Sequence, residues 1–306
     1  MIAAKEKNNV KKILVSIFLL FFSVSIRAQQ GDFSKVQMKS TKVAGNVYML
    51  EGAGGNIGVS VGADGILIVD DQFAPLADKI RAALKGLGDK KLRFILNTHW
   101  HGDHTGGNAA FGPEATIIAH DNVRKRLATD QRSEIFKSTT PASPKEALPV
   151  ITFDHSLSVH FNGEDIRAIH FPQGHTDGDS VIFFTSSNVV HLGDDFFAGR
   201  FPFVDLESGG SVEGLTKNIG EIIGKIPEGA KLIPGHGPIS TIDDLKSYHH
   251  MLLETTSIVR EKIAAGKTVD QIKSEGLADE WKPWGTGFIK TDIWLQTVYT
   301  SLTAKK

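Results

Sequence analysis

Cysteine is absent from this 306-residue chain. No disulfide framework can form, and no thiolate is available as nucleophile or metal ligand. A surplus of positive charge is missing too. Lys and Arg number 34 against 35 Asp and Glu, so the balance gives no reason to expect a nucleic-acid partner. No internal repeat and no low-complexity linker breaks the chain. Long apolar runs are lacking, with one exception: Ile13 to Ile26, broken only by small serines and preceded by Lys5, Lys7, Lys11 and Lys12. That run is too short to cross a ~30 Å hydrocarbon core comfortably, and its lysine flank fits a secretory leader. Residues 1–28 are therefore expected to be a signal peptide, cut after Ala28 with Ser25 as the alternative. The mature protein is expected outside the cytoplasm, periplasmic or secreted, without a stable membrane anchor. Removing the leader leaves 29 basic and 34 acidic residues, which disfavours anionic polymers as substrates.

What remains, residues 29–306, reads as a single mixed α/β domain. Over all 306 residues, apolar residues make up 41% and charged residues 23%, an ordinary balance for a chain that buries a core. Residues 29–41 are polar and expected to be frayed. Strands are predicted over 43–50, 56–61, 66–69, 91–97 and 116–119. Helices are predicted over 74–87 and 122–128, with an ordered surface loop at 138–149. Asn162-Gly163 suits the turn of a hairpin joining 156–161 to 165–171. A second hairpin joins 181–184 to 189–192. A helix over 212–223, a strand over 231–233, a long helix over 243–265 and a closing helix from about Phe288 to Leu302 complete the reading.

The chemistry is concentrated at strand ends. In His99-Trp100-His101-Gly102-Asp103-His104, the first two histidines stand two apart where the 91–97 strand ends. Period-two geometry puts both on one side, suited to one metal. Gly102 lets the chain turn, so that Asp103 and His104 reach a second position. The same signature, a strand end followed by a glycine-flanked donor, recurs at Gly174-His175-Thr176, Gly193-Asp194-Asp195 and Pro234-Gly235-His236-Gly237. Imidazole and carboxylate donors together suit zinc, iron or manganese.

These motifs, in this order, resemble those of the metallo-β-lactamase superfamily. The resemblance implies a four-layer αββα sandwich with metals in a cleft at the edge of its sheets. It also implies roles. His99, His101 and His175 would hold the first metal, Asp103, His104 and His236 the second, and Asp194 would bridge both. Two Zn2+ per chain are expected, with Fe or Mn as alternatives. Aspartate stands at position 194 where the cysteine-bearing lactamases have cysteine. That brings the chain nearer to glyoxalase II and lactonases. The large insertion of the nuclease members does not fit between Asp194 and His236.

The expected activity is hydrolysis of a small molecule, with a hydroxide generated between two metals attacking the carbonyl of a β-lactam- or lactone-like substrate. Asp103 is the candidate catalytic carboxylate, accepting a proton or orienting the nucleophile. A glyoxalase II-type thioesterase and a mononuclear iron enzyme of the persulfide-dioxygenase type are the alternatives. Oligomeric state is left open. Glu51–Asn56 resembles a flexible loop that closes over the substrate, and Phe196–Glu207 is expected to wall the other side, with Arg200 as a carboxylate-binding candidate. Asp70 or Asp71 is a candidate to orient a ligand histidine. Trp100 reads either as packing behind the metal loop or as a wall of the substrate cleft, with packing favoured. His120, His155, His160, His170, His191, His249 and His250 are expected to have no ligand role, with His191 close to the site.

Overall fold

The structure, a computed structural model, describes residues 32–135 and 137–304; the expected leader lies outside them. The first strands are β1 (Lys39–Ala44), β2 (Val47–Glu51), β3 (Ile57–Gly62), β4 (Gly65–Val69), β5 (Leu92–Asn97) and β6 (Thr116–His120). A small hairpin, β7 (Gln131–Ser133) and β8 (Ser138–Thr140), precedes β9 (Ile151–Phe153). Then come β10 (Ser156–Phe161), β11 (Glu164–His170), β12 (Ser180–Phe184), β13 (Val189–His191) and β14 (Lys231–Ile233). The helices are α1 (Ala77–Leu87), α2 (Gly102–Thr105), α3 (Asn108–Phe111), α4 (Asp121–Leu127), α5 (Val212–Ile223), α6 (Ile242–Ala264), α7 (Val269–Glu275) and α8 (Thr291–Thr303).

Two large sheets form beside the two-stranded β7-β8. One has the order β1-β2-β3-β4-β5-β6-β9, the other β10-β11-β12-β13-β14. Alternation decides which face each side chain takes. Val47 and Met49 of β2 and Leu67 and Val69 of β4 point between the sheets, where they meet Ile166, Ala168, Ile182 and Phe184 of the second sheet. Their neighbours Leu50, Ile66 and Ile68 point outward and are covered by Ile80 and Leu84 of α1 and Phe111 of α3. The outer face of the second sheet is covered by α5, α6 and α8, through residues such as Leu215, Ile219, Leu252 and Trp294. The layers are therefore helix, sheet, sheet, helix, the expected αββα sandwich. No helix among the described residues is long and apolar enough to cross a membrane.

Several elements differ from the sequence reading. Of residues 29–41, expected to be frayed, 29–31 lie outside the described residues; within 32–41, Phe33–Lys35 makes a helical turn held by the Lys79 ammonium on three carbonyls, and Lys39 begins β1. β1 is an exposed edge strand of polar residues, so it carries no apolar alternation to detect. The strand expected over 43–50 breaks at Gly45, which turns the chain at φ +50°. The loop expected over 138–149 contains β8. The closing helix starts at Thr291, and Phe288 stands 73% exposed before it.

Two parallel pairs set up the site. β4 runs parallel to β5, and β13 parallel to β14. Each pair thus delivers its C-terminal ends, and the loops that follow them, to the same side of its sheet.

Candidate metal centre

The residues after those four strand ends converge. Asp70 follows β4, His99 follows β5, Asp194 follows β13 and His236 follows β14; His175 comes from the loop between β11 and β12. One group comprises His99, His101, His175 and Asp194, and another Asp103, His104 and His236; within each, one donor atom per residue lies within 4.8 Å of the rest. All seven sequence candidates are thus brought together in these two groups, with Asp194 in the first. Asp194 stands between them. Its Oδ2 lies 3.8 Å from His99 Nε2 and 3.6 Å from His175 Nε2, while its Oδ1 lies 3.1 Å from His104 Nε2 and 3.4 Å from His236 Nε2.

Each buried histidine has one nitrogen fixed from behind and the other facing the centre. His99 Nδ1 lies 3.0 Å from Thr98 Oγ1, and His175 Nδ1 lies 2.7 Å from the Phe203 carbonyl. His104 Nδ1 lies 2.7 Å from Asp70 Oδ2. His101 is reversed: its Nε2 lies 2.9 Å from Asp205 Oδ2, which leaves Nδ1 to face inward, 2.8 Å from His175 Nε2. Such outer partners select the ring tautomer and the donor atom. Asp70, in the left-handed region at φ 65°, also accepts from Thr98 N and Thr98 Oγ1, so one carboxylate positions both donor sets. The orienting role considered for Asp70 or Asp71 thus falls to Asp70. Asp71 instead accepts from Gly107 N.

The donor atoms fit a metal. His99 Nε2, His104 Nε2 and Asp194 Oδ1 are buried with no hydrogen-bond partner among the described residues. Buried polar atoms left in this state are costly unless something absent from the polypeptide engages them. The backbone also closes in on the donors. A Cβ at Gly235 would overlap Asp194 Oδ1, and one at Gly55 would overlap the His104 ring.

The electrostatics divide the same way. Burial holds His99 well below the usual imidazole range, and it takes His175 down to about 4, leaving both neutral with a lone pair to offer. On the other side burial is outweighed by the carboxylates: Asp194 and Asp103 hold His236 up at about 9, and Asp194, Asp103 and Asp70 raise His104. Against its own burial, Asp103 is held at about 2 by His104 and His236. Cations in the second set would displace protons from these histidines.

Aromatic side chains of the 196–207 segment lie against the donors. Phe197 stacks on His236 at 5.1 Å, and Phe203 lies 5.6 Å from the His101 ring. Asn56, closing the glycine-rich 52–55 segment, donates to the Pro234 and Gly237 carbonyls and so ties that segment to the His236 loop. Trp100 is buried with Ala119, Val123 and Leu127, the packing role expected of it. His191 donates from Nε2 to the Asn56 carbonyl beside the site, while His120 and His170 stack on each other away from the donor sets. Sequence reasoning missed Asp205 and Thr98 as individual partners. Neither carries a glycine flank or a spacing that marks it.

The comparisons with known proteins agree with this geometry. The family model of the metallo-beta-lactamase superfamily matches residues 41–267. The chain belongs to the metallo-β-lactamase superfamily, whose members are metallo-hydrolases. Among curated relatives of this superfamily member, a lactamase-like protein of Emericella nidulans (aptB) is 25% identical, over 79% of this chain and 67% of that one. An atrochrysone carboxyl ACP thioesterase of Aspergillus fumigatus is 27% identical, over 77% of this chain and 48% of its own length. A hydroxyacylglutathione hydrolase of Pelagibacter ubique is 26% identical, over 51% and 57%. The chain thus spans between about half and two thirds of these relatives. Among solved structures, the sec-alkylsulfatase Pisa1 from Pseudomonas sp. aligns with a TM-score of 0.66 at 15% identity, over 88% of this chain and 51% of that one. A metallo-beta-lactamase from Pontibacter korlensis aligns with a TM-score of 0.56 at 17% identity, over 71% and 99%.

Proposed function

We propose that the mature protein, residues 29–306, is one domain that hydrolyses an activated acyl bond of a small molecule with two divalent cations, zinc foremost. The observation that carries this reading is the division of Asp194, one oxygen toward each donor set. When bound, a pair of divalent ions supplies water acidified toward neutral pH and polarises the scissile carbonyl. The chain's own residues do the rest. Asp194 spaces the two donor sets and offsets their charge. Asp103, whose side chain is 27% exposed, faces both His236 and solvent; its carboxylate orients the attacking water and takes up a proton. Phe197 and Phe203 limit water at the donor sets. Arg200 is half-buried, has no ion pair among the described residues, and its stem lies against Gly287; we assign it to an anionic group of the substrate.

Lactone and β-lactam carbonyls remain candidate substrates. Thioesters join them, because two of the relatives named above are a thioesterase and a hydroxyacylglutathione hydrolase. We further place the mature protein outside the cytoplasm, on the strength of the Lys-flanked run Ile13–Ile26. N-terminal sequencing from the native host tests that placement, and an intact Met1 on a cytosolic protein overturns it. The functional test is metal counting together with turnover. Zinc-loaded residues 29–306 should hold two ions per chain and turn over at least one of a chromogenic cephalosporin, a γ-lactone and an aryl thioester. One iron per chain, with oxygen consumed on a persulfide, would replace this reading with the dioxygenase alternative.

A further inference from the structure

The β7–β8 hairpin lies outside both donor sets, yet its tip is tied to the element that positions one of them. That element is the turn Leu206–Ser208 and its flanks. Asp205 begins it. Asp205 Oδ1 accepts from Ser208 N at 3.1 Å, and Oδ2 lies 2.9 Å from His101 Nε2. Two residues beyond Asp205, Glu207 accepts the Glu134 backbone N–H on both carboxylate oxygens, at 2.9 and 3.1 Å. Glu134 immediately follows β7.

The turn has little freedom of its own. Asp205 N donates to the His175 carbonyl at 2.9 Å, and Asp177 N donates to the Ser208 carbonyl at 2.9 Å. Asp177 in turn accepts Arg126 of α4 through both oxygens at 2.7 Å. Arg126 and Gln131, at the base of the hairpin, bond to each other twice. The contacts therefore close a ring: hairpin base, Arg126, Asp177, the 205–208 turn, Glu207, hairpin tip. All its members except the tip contact are backbone bonds or half-buried pairs. The tip contact is exposed, and the hairpin's strands are three residues each with no buried side chain. Segments of this kind open at low cost.

We propose that the docked hairpin sets the affinity of the first metal site, acting through Glu207 and Asp205 on the orientation of His101. Asp205 is a positioning residue: it holds His101 so that Nδ1, not Nε2, faces the centre. Glu207 holds the turn that carries Asp205. An undocked hairpin leaves that turn one restraint short, and His101 loses part of its alignment. A substrate or partner that lifts the hairpin would loosen the first metal, and a bound first metal would favour the docked hairpin, since coupling between two sites is reciprocal.

This inference rests on the two-metal reading, and its test is chosen to separate the two. Metal affinity is measured by chelator competition, and ligand geometry by the absorption of the cobalt(II)-substituted protein. Asp205→Asn should weaken the first metal roughly 10–100-fold, the range found when an outer partner of a ligand histidine is altered. Glu207→Ala should give a smaller loss of the same kind, roughly threefold or more, with a shifted cobalt spectrum and unchanged affinity of the second ion. Glu207→Gln keeps an acceptor and should restore most of the loss. Glu134→Pro removes the donated N–H and should reproduce Glu207→Ala. The double variant Asp205→Asn/Glu207→Ala should be no worse than Asp205→Asn alone, because both changes act through one contact. A wild-type chain that binds no metal removes the two-metal reading itself. Two bound ions with Glu207→Ala indistinguishable from wild type, or additive losses in the double variant, overturn the coupling alone.

Discussion

Two buried polar clusters join the sheets, one at each end of β4. Before β4, Asn162 of the β10–β11 turn donates to Ser60 Oγ and to the Gly65 carbonyl, each at 3.1 Å, and its own Oδ1 accepts Asp64 N. Asp64 Oδ2 accepts Asn162 N at 2.7 Å. Every polar group of Asn162 is used. After β4, Asp70 begins the other cluster, in which His99 Nε2, His104 Nε2 and Asp194 Oδ1 make no well-formed hydrogen bond among the described residues, although His104 Nε2 and Asp194 Oδ1 face each other at 3.1 Å. Both clusters are polar and made from residues at strand ends. One is closed upon itself and the other points its best donors at a common centre. Self-satisfaction marks a structural clasp, and convergent unsatisfied donors mark a site.

That contrast can be broken at either end. The largest effect is expected from Asp194→Asn, which keeps the shape but removes the charge shared by the two donor sets. Turnover on any accepted substrate should fall by roughly 10²–10³, and mass spectrometry should show the second ion lost before the first, since His99, His101 and His175 remain. Retention of two tight ions with wild-type turnover would show that Asp194 is not the shared ligand. Next comes Asp70→Ala, which strips His104 and Thr98 of one acceptor. Metal affinity should drop roughly 10–100-fold while the fold survives; circular dichroism alongside metal titration distinguishes this outcome from unfolding. At the other end, Asn162→Ala should cost about 1–3 kcal/mol of stability, seen as a lower urea midpoint, and leave metal stoichiometry untouched. An Asn162→Ala protein that lost metal would erase the distinction between the clusters.

The smallest effect concerns pH. His120 and His170 stack at 3.6 Å, and burial together with His170 takes His120 down to about 4. A base whose pKa is depressed on folding binds its proton more readily when unfolded, so stability is present above about 6.5 and is lost as pH falls toward 4. Melting temperature should therefore fall over that window, and His120→Gln should flatten the slope. An unchanged slope in His120→Gln would assign the acid sensitivity to other groups.

How much of this was legible in the sequence follows from where each signal resides. The seven candidate ligands could be read because glycines crowd them and because His99 and His101 share a strand's period. The central strands could be read because Ile66–Val69 and Val181–Phe184 are apolar throughout. β1 could not, since an edge strand with one solvated face may be built from Lys, Ser and Thr. β9, three residues with Ile151 41% exposed, is held by pairing with β6 that no local pattern announces. Asp205 was hidden for a different reason. Its importance arises only when a turn a hundred residues downstream is laid against His101.

The donors are spread along the chain from His99 to His236, and that spread carries a consequence in time. During synthesis the first half of the site exists as His99, His101, Asp103 and His104 well before β13 and β14 have been made. Pairing β13 with β14 places Asp194 and His236 together, and this parallel contact spans α5, so it forms late. Until that contact forms, the 99–104 loop stands without Asp194 and His236, so neither donor group is complete before the second sheet has closed.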